Sequence, residues 1–244
     1  MRKKIALILG GNGGIGSSII RQLCNDGYQV CATYNKNKDQ IEHIQLTLSE
    51  LQSYKCNITD KEMVHQTIKS INAVFGEIDV VIFSVASSFK NNRILDLDWN
   101  EYSSQFDLQA KSMFLVMKAL SKQIALKYKT KFIVVLSEVS QGQPPKGFSA
   151  YVTSKYAAMG MAKTMALELA QFDCRVNMIS PGMVETNLLS DLPKKMIEIS
   201  SFENPLKKNA LPGDVAKVVS FLLSDDAEFI NGANIPVNGG KVIF

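Results

Sequence analysis

The stretch Ile5-Ala6-Leu7-Ile8-Leu9-Gly10-Gly11-Asn12-Gly13-Gly14-Ile15-Gly16 decides the fold. Its apolar half predicts a buried strand, and a pattern of helical character begins near Ile15, directly after the glycines. Glycines at such a turn allow positive φ and a close approach of the backbone to a phosphate, while the N–H groups that open the helix carry partial positive charge. The stretch therefore predicts a strand-to-helix turn that binds the pyrophosphate of a dinucleotide.

Two glycine spacings fit this turn, and the sequence leaves both open. Gly11-x-Gly13-x-x-Gly16 matches the general dinucleotide pattern, whereas Gly10-x-x-x-Gly14-x-Gly16 describes a wider loop. A glycine-rich turn without a ligand is the alternative to both. The position between the first strand and the first helix favours dinucleotide binding.

Further apolar runs alternate with segments of helical character along the rest of the chain. Strands are predicted at 28–33, 79–83, 132–136 and 175–179, and helices at 15–25, 61–75, 102–128 and 152–172. This alternation predicts right-handed crossovers and a parallel sheet with helices on both faces, which is a doubly wound α/β fold. No linker or repeat divides the sequence, so we expect one domain over residues 1–244.

Composition and charge exclude several classes of partner. The chain is 46% hydrophobic with a formal net charge of +4, and its basic residues are scattered, which does not indicate nucleic acid or an anionic membrane surface. No apolar stretch approaches the ~18 residues of a membrane-spanning helix. The four cysteines lack the spacing of a zinc site. We expect no metal and a cytoplasmic location with reduced thiols.

The residues after the second strand distinguish the two nicotinamide dinucleotides. An acid at this place would bind the ribose 2′-OH and repel a 2′-phosphate. Here Tyr34, Asn35 and Lys36 are polar or cationic, and no acid occurs before Asp39. The segment favours NADP(H) over NAD(H), although Lys36 and Lys38 are also typical of a solvated helix entrance.

Tyr151 and Lys155 share one face of a predicted helix, in Tyr151-Val152-Thr153-Ser154-Lys155. An ammonium near a phenol favours the phenolate and lowers a pKa that otherwise lies near about 10, which suits a proton donor or acceptor. An isolated pair with this spacing is equally typical of an exposed helix surface. A catalytic role for this pair is therefore supported only by the other motifs in the sequence.

Taken together, these motifs resemble the short-chain dehydrogenase/reductase family over nearly the whole chain. The family has the wider glycine loop, the tyrosine and lysine pair, a segment like Ser180-Pro181-Gly182-Met183-Val184-Glu185-Thr186, and a closing strand like Val237-Asn238-Gly239-Gly240. The resemblance implies a single-domain Rossmann fold with a seven-stranded parallel sheet, assembled as a homo-oligomer, either tetramer or dimer. It also implies hydride transfer between nicotinamide C4 and a carbonyl or alcohol carbon.

The resemblance assigns roles to particular residues. Tyr151 gives its proton to the carbonyl oxygen of a 3-oxoacyl thioester or small ketone, and Lys155 holds the nicotinamide ribose and lowers the tyrosine pKa. Residues 138–150 and 181–212 form the substrate pocket. The implied dinucleotide contacts are Gly10, Asn12, Gly14, Ile15, Gly16, Tyr34, Asn35, Lys36, Asn57, Ile58, Ser84, Val85, Ala86, Tyr151, Lys155, Pro181, Gly182, Val184 and Thr186.

The catalytic serine of the family does not align directly. The family places it about thirteen residues before the tyrosine, where its hydroxyl binds the reacting oxygen. That count falls on Glu138, which is a poor donor when ionised. Ser137 is the first candidate for the role, with Ser140 second.

Two further departures affect the predicted site. Gln109 aligns with an asparagine that holds a water in the proton relay of the family's lysine, so the relay survives with altered geometry or Gln109 is an ordinary helix residue. Ser84-Val85-Ala86 resembles enoyl-acyl carrier protein reductases of the same superfamily, but those enzymes space their tyrosine and lysine more widely than Tyr151 and Lys155. The departures leave a second hypothesis, a cofactor-binding pseudoenzyme that acts as a regulatory or structural subunit.

Overall fold

The computed structural model describes residues 2–87, 91–186, 189 and 193–243. The strands are β1 (Ile5–Leu9), β2 (Gln29–Tyr34), β3 (Leu51–Lys55), β4 (Val80–Phe83), β5 (Lys131–Val135), β6 (Arg175–Pro181) and β7 (Asn234–Val237). In this part of the chain the α-helices are α1 (Gly14–Asn25), α2 (Asp39–Gln45), α3 (Lys61–Phe75), α4 (Trp99–Phe106), α5 (Ser112–Ala125), α6 (Ser149–Glu168), α7 (Lys194–Glu203) and α8 (Pro212–Leu223).

The seven strands form one parallel sheet in the order β3-β2-β1-β4-β5-β6-β7. This confirms the predicted doubly wound fold. The order reverses between β1 and β4, where Ile8 pairs with Ala32 on one side and with Ile82 on the other. Ligands of such sheets bind beyond the carboxyl ends of the strands at this reversal. The glycine loop follows β1 at that place.

Side chains that alternate along β1 enter two separate cores. Leu7 belongs to a cluster with residues of α3, α5 and α6, and Ile8 belongs to a cluster with residues of α1, α2 and α8. Both residues are buried, because a parallel strand between two helix layers meets apolar neighbours on each face. The two cores hold the carboxyl ends of β1, β4, β5 and β6 in fixed positions.

The structure corrects the predicted helix at 102–128. It begins earlier, at Trp99, where the Asp98 side chain accepts a hydrogen bond from the Glu101 N–H. A π-helical turn, Asp107–Lys111, then separates α4 from α5. The sequence also missed β3, because this edge strand has alternating and largely polar residues of which Leu51 is the one that is fully buried.

Among the described residues, no helix combines the length and the apolar character needed to cross a membrane.

Candidate active site

The glycine loop packs directly against the end of β4. Gly10 has a φ of +84°, and a Cβ at this position would collide with the backbone oxygen of Ser84. A Cβ at Gly16 would collide with the backbone oxygen of Gly10. Only glycine fits these two positions, because both collisions involve backbone that cannot move aside.

The contacts of Gly13 and Gly14 distinguish between the two glycine spacings. A Cβ at Gly14 would lie 2.6 Å from Cγ2 of Thr186, whereas a Cβ at Gly13 would make one ordinary contact at 3.5 Å. Glycine is therefore required at positions 10, 14 and 16, which is the wider spacing. A Cβ at Gly11 would also lie 2.8 Å from the Cβ of Ala32, so Gly13 is the member of the narrower pattern that the packing does not require. No side chain caps the N-terminus of α1, and its first turn holds no acidic residue. The N–H groups there are available to an anion.

The side chain of Asn12 contacts α2. Its Oδ1 accepts a hydrogen bond from the Ile41 N–H at 3.2 Å, which satisfies one of the unpaired donors at the start of α2. The sequence prediction placed Asn12 among the dinucleotide contacts, and the structure gives its side chain this structural partner. Asn12 thereby joins the glycine loop to the segment that follows β2.

Other predicted dinucleotide contacts lie at the same edge of the sheet. Tyr34 is half-buried, and Asn35 and Lys36 are exposed beyond β2. The Oδ1 of Asn57 accepts hydrogen bonds from the backbone and the hydroxyl of Thr59, at 3.2 and 2.9 Å. The remaining predicted contacts are Ile15, Ser84 and Gly182, which are half-buried, Ile58, Val85, Pro181 and Val184, which are buried, and Ala86, which is exposed.

Tyr151, Lys155 and Ser137 meet at the carboxyl end of β5. Tyr151 lies in the first turn of α6, and the Lys155 Nζ is 5.7 Å from the centre of its ring. Ser137 follows β5 and hydrogen-bonds the Tyr151 side chain. The hydroxyl of Ser140 turns away from this group and donates to the backbone oxygen of Ser137 at 2.8 Å.

Burial sets the protonation of this group. It raises the pKa of Tyr151, and the hydrogen bond with Ser137 opposes that rise. Burial also lowers the pKa of Lys155 to about 7. Desolvation is the largest cause of both shifts. That Lys155 lowers the pKa of Tyr151 stays a prediction.

Gln109 is in direct contact with Lys155. It lies in the π-helical turn and is 3% exposed. Its Oε1 accepts a hydrogen bond from the Lys155 Nζ at 3.1 Å, and its Nε2 donates to the backbone oxygen of Val85 at 2.9 Å. The Lys155 Nζ also donates to the backbone oxygen of Val135 at 2.9 Å. Gln109 thus joins the lysine to the segment that follows β4.

Known proteins are similar to this chain over nearly its whole length. A family model described as enoyl-(acyl carrier protein) reductase matches residues 10–241. The chain is 33% identical to 3-oxoacyl-(acyl-carrier-protein) reductase FabG of Staphylococcus epidermidis, over 97% of this chain and 98% of the relative. Human dehydrogenase/reductase SDR family member 4 is 29% identical over 98% of this chain and 88% of the relative. The chain belongs to the short-chain dehydrogenase/reductase family.

Solved structures agree with that membership. The solved structure of ElxO with NADP bound is 25% identical to this chain, with a TM-score of 0.88 over 98% of each chain. A 3-ketoacyl-(acyl-carrier-protein) reductase from Brucella melitensis, complexed with NADH, shows the same fold at 22% identity, with a TM-score of 0.90 over 99% of each chain. This short-chain dehydrogenase/reductase is an oxidoreductase.

Glu138 departs from the family pattern, and the structure shows where its carboxyl group lies. A Cβ at Gly182 would be 3.1 Å from Glu138 Oε2 and 3.2 Å from the Asn238 Cα. That oxygen is buried and has no hydrogen-bond partner among the described residues. Burial raises the pKa of Glu138, and the charge of Lys241 opposes that rise. Glu138 therefore lies against the ends of β6 and β7, while Ser137 contacts Tyr151.

A cavity of about 530 Å³ opens beyond the carboxyl ends of β6 and β7. Its lining includes residues between 182 and 210, within the predicted pocket segment 181–212, together with Asp214, residues 236–240, and residues 242 and 243. The other predicted segment, 138–150, does not line this cavity. Residues 187, 188 and 190–192 of the predicted pocket lie outside the described residues.

Sequence reasoning missed the backbone oxygen that Lys155 contacts and a glutamine that contacts the segment after β4. The backbone oxygen of Val135 gives no signal in the sequence, because any residue type supplies a carbonyl at a strand end. Gln105 precedes Gln109 by one helical turn and donates from Nε2 to Ser87 Oγ at 2.9 Å. Its spacing from Gln109 was the available signal, since residues at i and i+4 share a helix face.

Proposed function

We propose that this enzyme is an NADP(H)-dependent reductase that converts the carbonyl group of a 3-oxoacyl thioester or a small ketone to an alcohol. The observation that carries the proposal is the contact of Ser137 with Tyr151, beside Lys155 and at the same sheet edge as the glycine loop. The group has a proton donor, a hydroxyl that binds the same oxygen, and a cation. That set of groups favours catalysis over the pseudoenzyme hypothesis.

The residues present fit a dinucleotide. The glycine loop packs closely against the end of β4, against Thr186 and against its own backbone, where a side chain at position 10, 14 or 16 would collide, and α1 offers uncapped N–H groups to a pyrophosphate. When bound, the dinucleotide supplies the hydride. Lys155 would hold the nicotinamide ribose, and the segment from Pro181 to Thr186 would contact the nicotinamide end, because both lie at the edge where β5 and β6 end.

Lys36 supports the preference for NADP(H). The side chain of Lys38 pairs with Glu42 on α2, whereas Lys36 is exposed at the end of β2. Lys36 is therefore the cation of this segment that remains available to a 2′-phosphate. No acid stands between Tyr34 and Asp39 to bind the 2′-OH of NAD(H).

The chemistry follows from the protonation of the three side chains. The raised pKa of Tyr151 keeps its phenol protonated at neutral pH, which is the form that a reduction needs. Ser137 contacts the phenol, and its hydroxyl would turn to donate its single proton to the carbonyl oxygen of a bound substrate. As the new alcohol O–H forms, the O–H of Tyr151 breaks, and the neighbouring Lys155 stabilises the phenolate.

The substrate class rests on the relatives and on the helix that carries Tyr151. The 33% identical relative is named a 3-oxoacyl reductase, and the matching family model is described as an enoyl reductase. The spacing of Tyr151 and Lys155 on α6 favours the 3-oxoacyl reaction. The test is oxidation of NADPH with acetoacetyl thioester, crotonyl thioester and a panel of ketones. Oxidation with the crotonyl thioester alone would refute the proposal.

Exposed apolar side chains on α4, α5 and α6 support a homo-oligomer. Phe106, Phe114 and Leu167 are 44%, 54% and 82% exposed, and α4 packs against α6. Exposed apolar side chains of this size are typical of a surface that contacts another protein. We place this interface between copies of the chain. The four cysteines are buried and unpaired, which supports a reducing compartment such as the cytoplasm.

A further inference from the structure

Two of the three N–H bonds of the Lys155 ammonium are donated to carbonyl oxygens of the protein. One is Gln109 Oε1 at 3.1 Å and the other is the backbone oxygen of Val135 at 2.9 Å. Neither oxygen carries a proton, so neither partner can pass one to the lysine. The third N–H is the one left for a ligand in the cleft.

The amide of Gln109 is fixed in this orientation. Its Nε2 donates to the backbone oxygen of Val85 at 2.9 Å, so its carbonyl oxygen must face Lys155. The residue is 3% exposed, and the π-helical turn Asp107–Lys111 carries it. At 3.1 Å there is no room for a water molecule between the amide and the amine.

We propose that Gln109 is a positioning residue that closes the proton path behind Lys155, so that Tyr151 recovers its proton from solvent through the substrate opening. This inference rests on the proposed reductase function. Reduction breaks the Tyr151 O–H bond and forms the O–H bond of the alcohol. After the alcohol leaves, a hydronium ion or a buffer acid that enters the same opening gives its proton to the phenolate.

The length of the side chain at position 109 decides whether Tyr151 recovers its proton by way of Lys155 or through the substrate opening. Water both donates and accepts, so a water beside Lys155 can pass a proton to the amine, whereas an amide oxygen ends the chain of transfer. Gln109→Asn withdraws the amide by about 1.5 Å, which opens enough space for one bridging water. Gln105→Asn is the matched control, because Gln105 is a buried amide one turn away that contacts Ser87.

The first experiment follows NADPH oxidation and proton uptake together in a single turnover, with a pH indicator in weak buffer. For the unchanged enzyme and Gln105→Asn, we expect proton uptake to lag behind oxidation and to follow the release of the alcohol. For Gln109→Asn, we expect uptake in step with oxidation. Uptake in step with oxidation by the unchanged enzyme, while the alcohol is still bound, would overturn the inference.

A second readout does not depend on turnover. A high-resolution crystal structure of the protein should show Gln109 Oε1 bound directly to Lys155 Nζ, and that of Gln109→Asn should show a water between the two groups. A water between Gln109 and Lys155 in the unchanged protein would overturn the inference. If the unchanged protein oxidises NADPH with none of the carbonyl substrates, the proposed function fails. The crystal structures then decide the inference by whether a water lies between Gln109 and Lys155.

Discussion

The side chain of Ser137 is hydrogen-bonded to the phenol of Tyr151, and this bond lowers a tyrosine pKa that burial raises. The other serine of the same turn, Ser140, donates its hydroxyl to the backbone oxygen of Ser137 at 2.8 Å. One serine therefore contacts the proton donor and the other shapes the turn that presents it. The two serines are three residues apart in the sequence and have separate roles.

Ser137→Ala should lower kcat by about 100-fold or more, because the reacting oxygen loses a hydrogen-bond donor. The loss of the hydrogen bond between Ser137 and the phenol should raise the apparent pKa of Tyr151 in the pH profile of kcat. Ser140→Ala is the matched control and should change kcat little, while it reduces the free energy of unfolding by about 1 kcal/mol. The reverse ranking of the two variants would assign the role to Ser140.

Lys155 should make the stability of the protein depend on pH. Burial lowers its pKa from 10.5 to about 7. Between these values the unfolded chain binds more protons, so the free energy of unfolding rises with pH across this window. The stability gained from the pKa difference is complete above the lysine pKa of the unfolded chain, and it is lost as the pH falls toward 7.

Urea unfolding of the unchanged protein and of Lys155→Met at pH 7, 8 and 9 tests this pH dependence. The difference in unfolding free energy between the two proteins should shift in favour of the lysine by up to about 1.4 kcal/mol per pH unit. The carbonyl oxygens of Gln109 and Val135 lose their donor in the variant at every pH. This loss lowers the stability of the variant by the same amount at each pH, so it does not change how the difference depends on pH. Parallel curves for the two proteins would show that the buried amine has an ordinary pKa.

Lys36→Ala should weaken NADPH binding by about fivefold and leave NADH binding unchanged, because an exposed charge pair is worth about 1 kcal/mol. Lys38→Ala is the control, since Lys38 pairs with Glu42. Fluorescence titration of both dinucleotides measures the two affinities. Equal losses for NADPH and NADH in Lys36→Ala would contradict the assignment of Lys36 to the 2′-phosphate.

Phe114→Arg should reduce the mass measured by sedimentation, because a buried, unpaired charge at an interface between copies is costly. Phe114 is 54% exposed on α5. Val74→Arg places the same charge on α3, where Val74 is 69% exposed, and should leave the mass unchanged. A monomeric mass for the unchanged protein would rule out the homo-oligomer.

The sequence predicted those elements whose residues meet apolar neighbours on both sides. The run Ile5–Leu9 is apolar throughout because two helix layers cover β1, so its burial was readable. Leu51–Lys55 lies at the sheet edge and has no such run. The glycine spacing became unique only when the contact of Gly14 with Thr186 was known, because those residues are distant in sequence.

The candidate site was predicted by residue type and corrected by geometry. Tyr151, Lys155 and Ser137 lie together, but the direction of the pKa shifts depends on burial, which the spacing of two residues does not reveal. The direct hydrogen bond from Lys155 to Gln109 depends on a π-helical turn that no local sequence pattern predicts. Partners formed by tertiary contact were thus beyond reach of the sequence.

The most direct test of the central claim is the turnover of Tyr151→Phe with NADPH and a 3-oxoacyl thioester. The variant keeps the ring on α6 and removes the proton that reduction transfers. Tyr156→Phe, an exposed tyrosine of the same helix, is the control. The account predicts that Tyr151→Phe binds NADPH normally and loses about 1,000-fold in kcat. Turnover by Tyr151→Phe equal to that of the unchanged enzyme would contradict it.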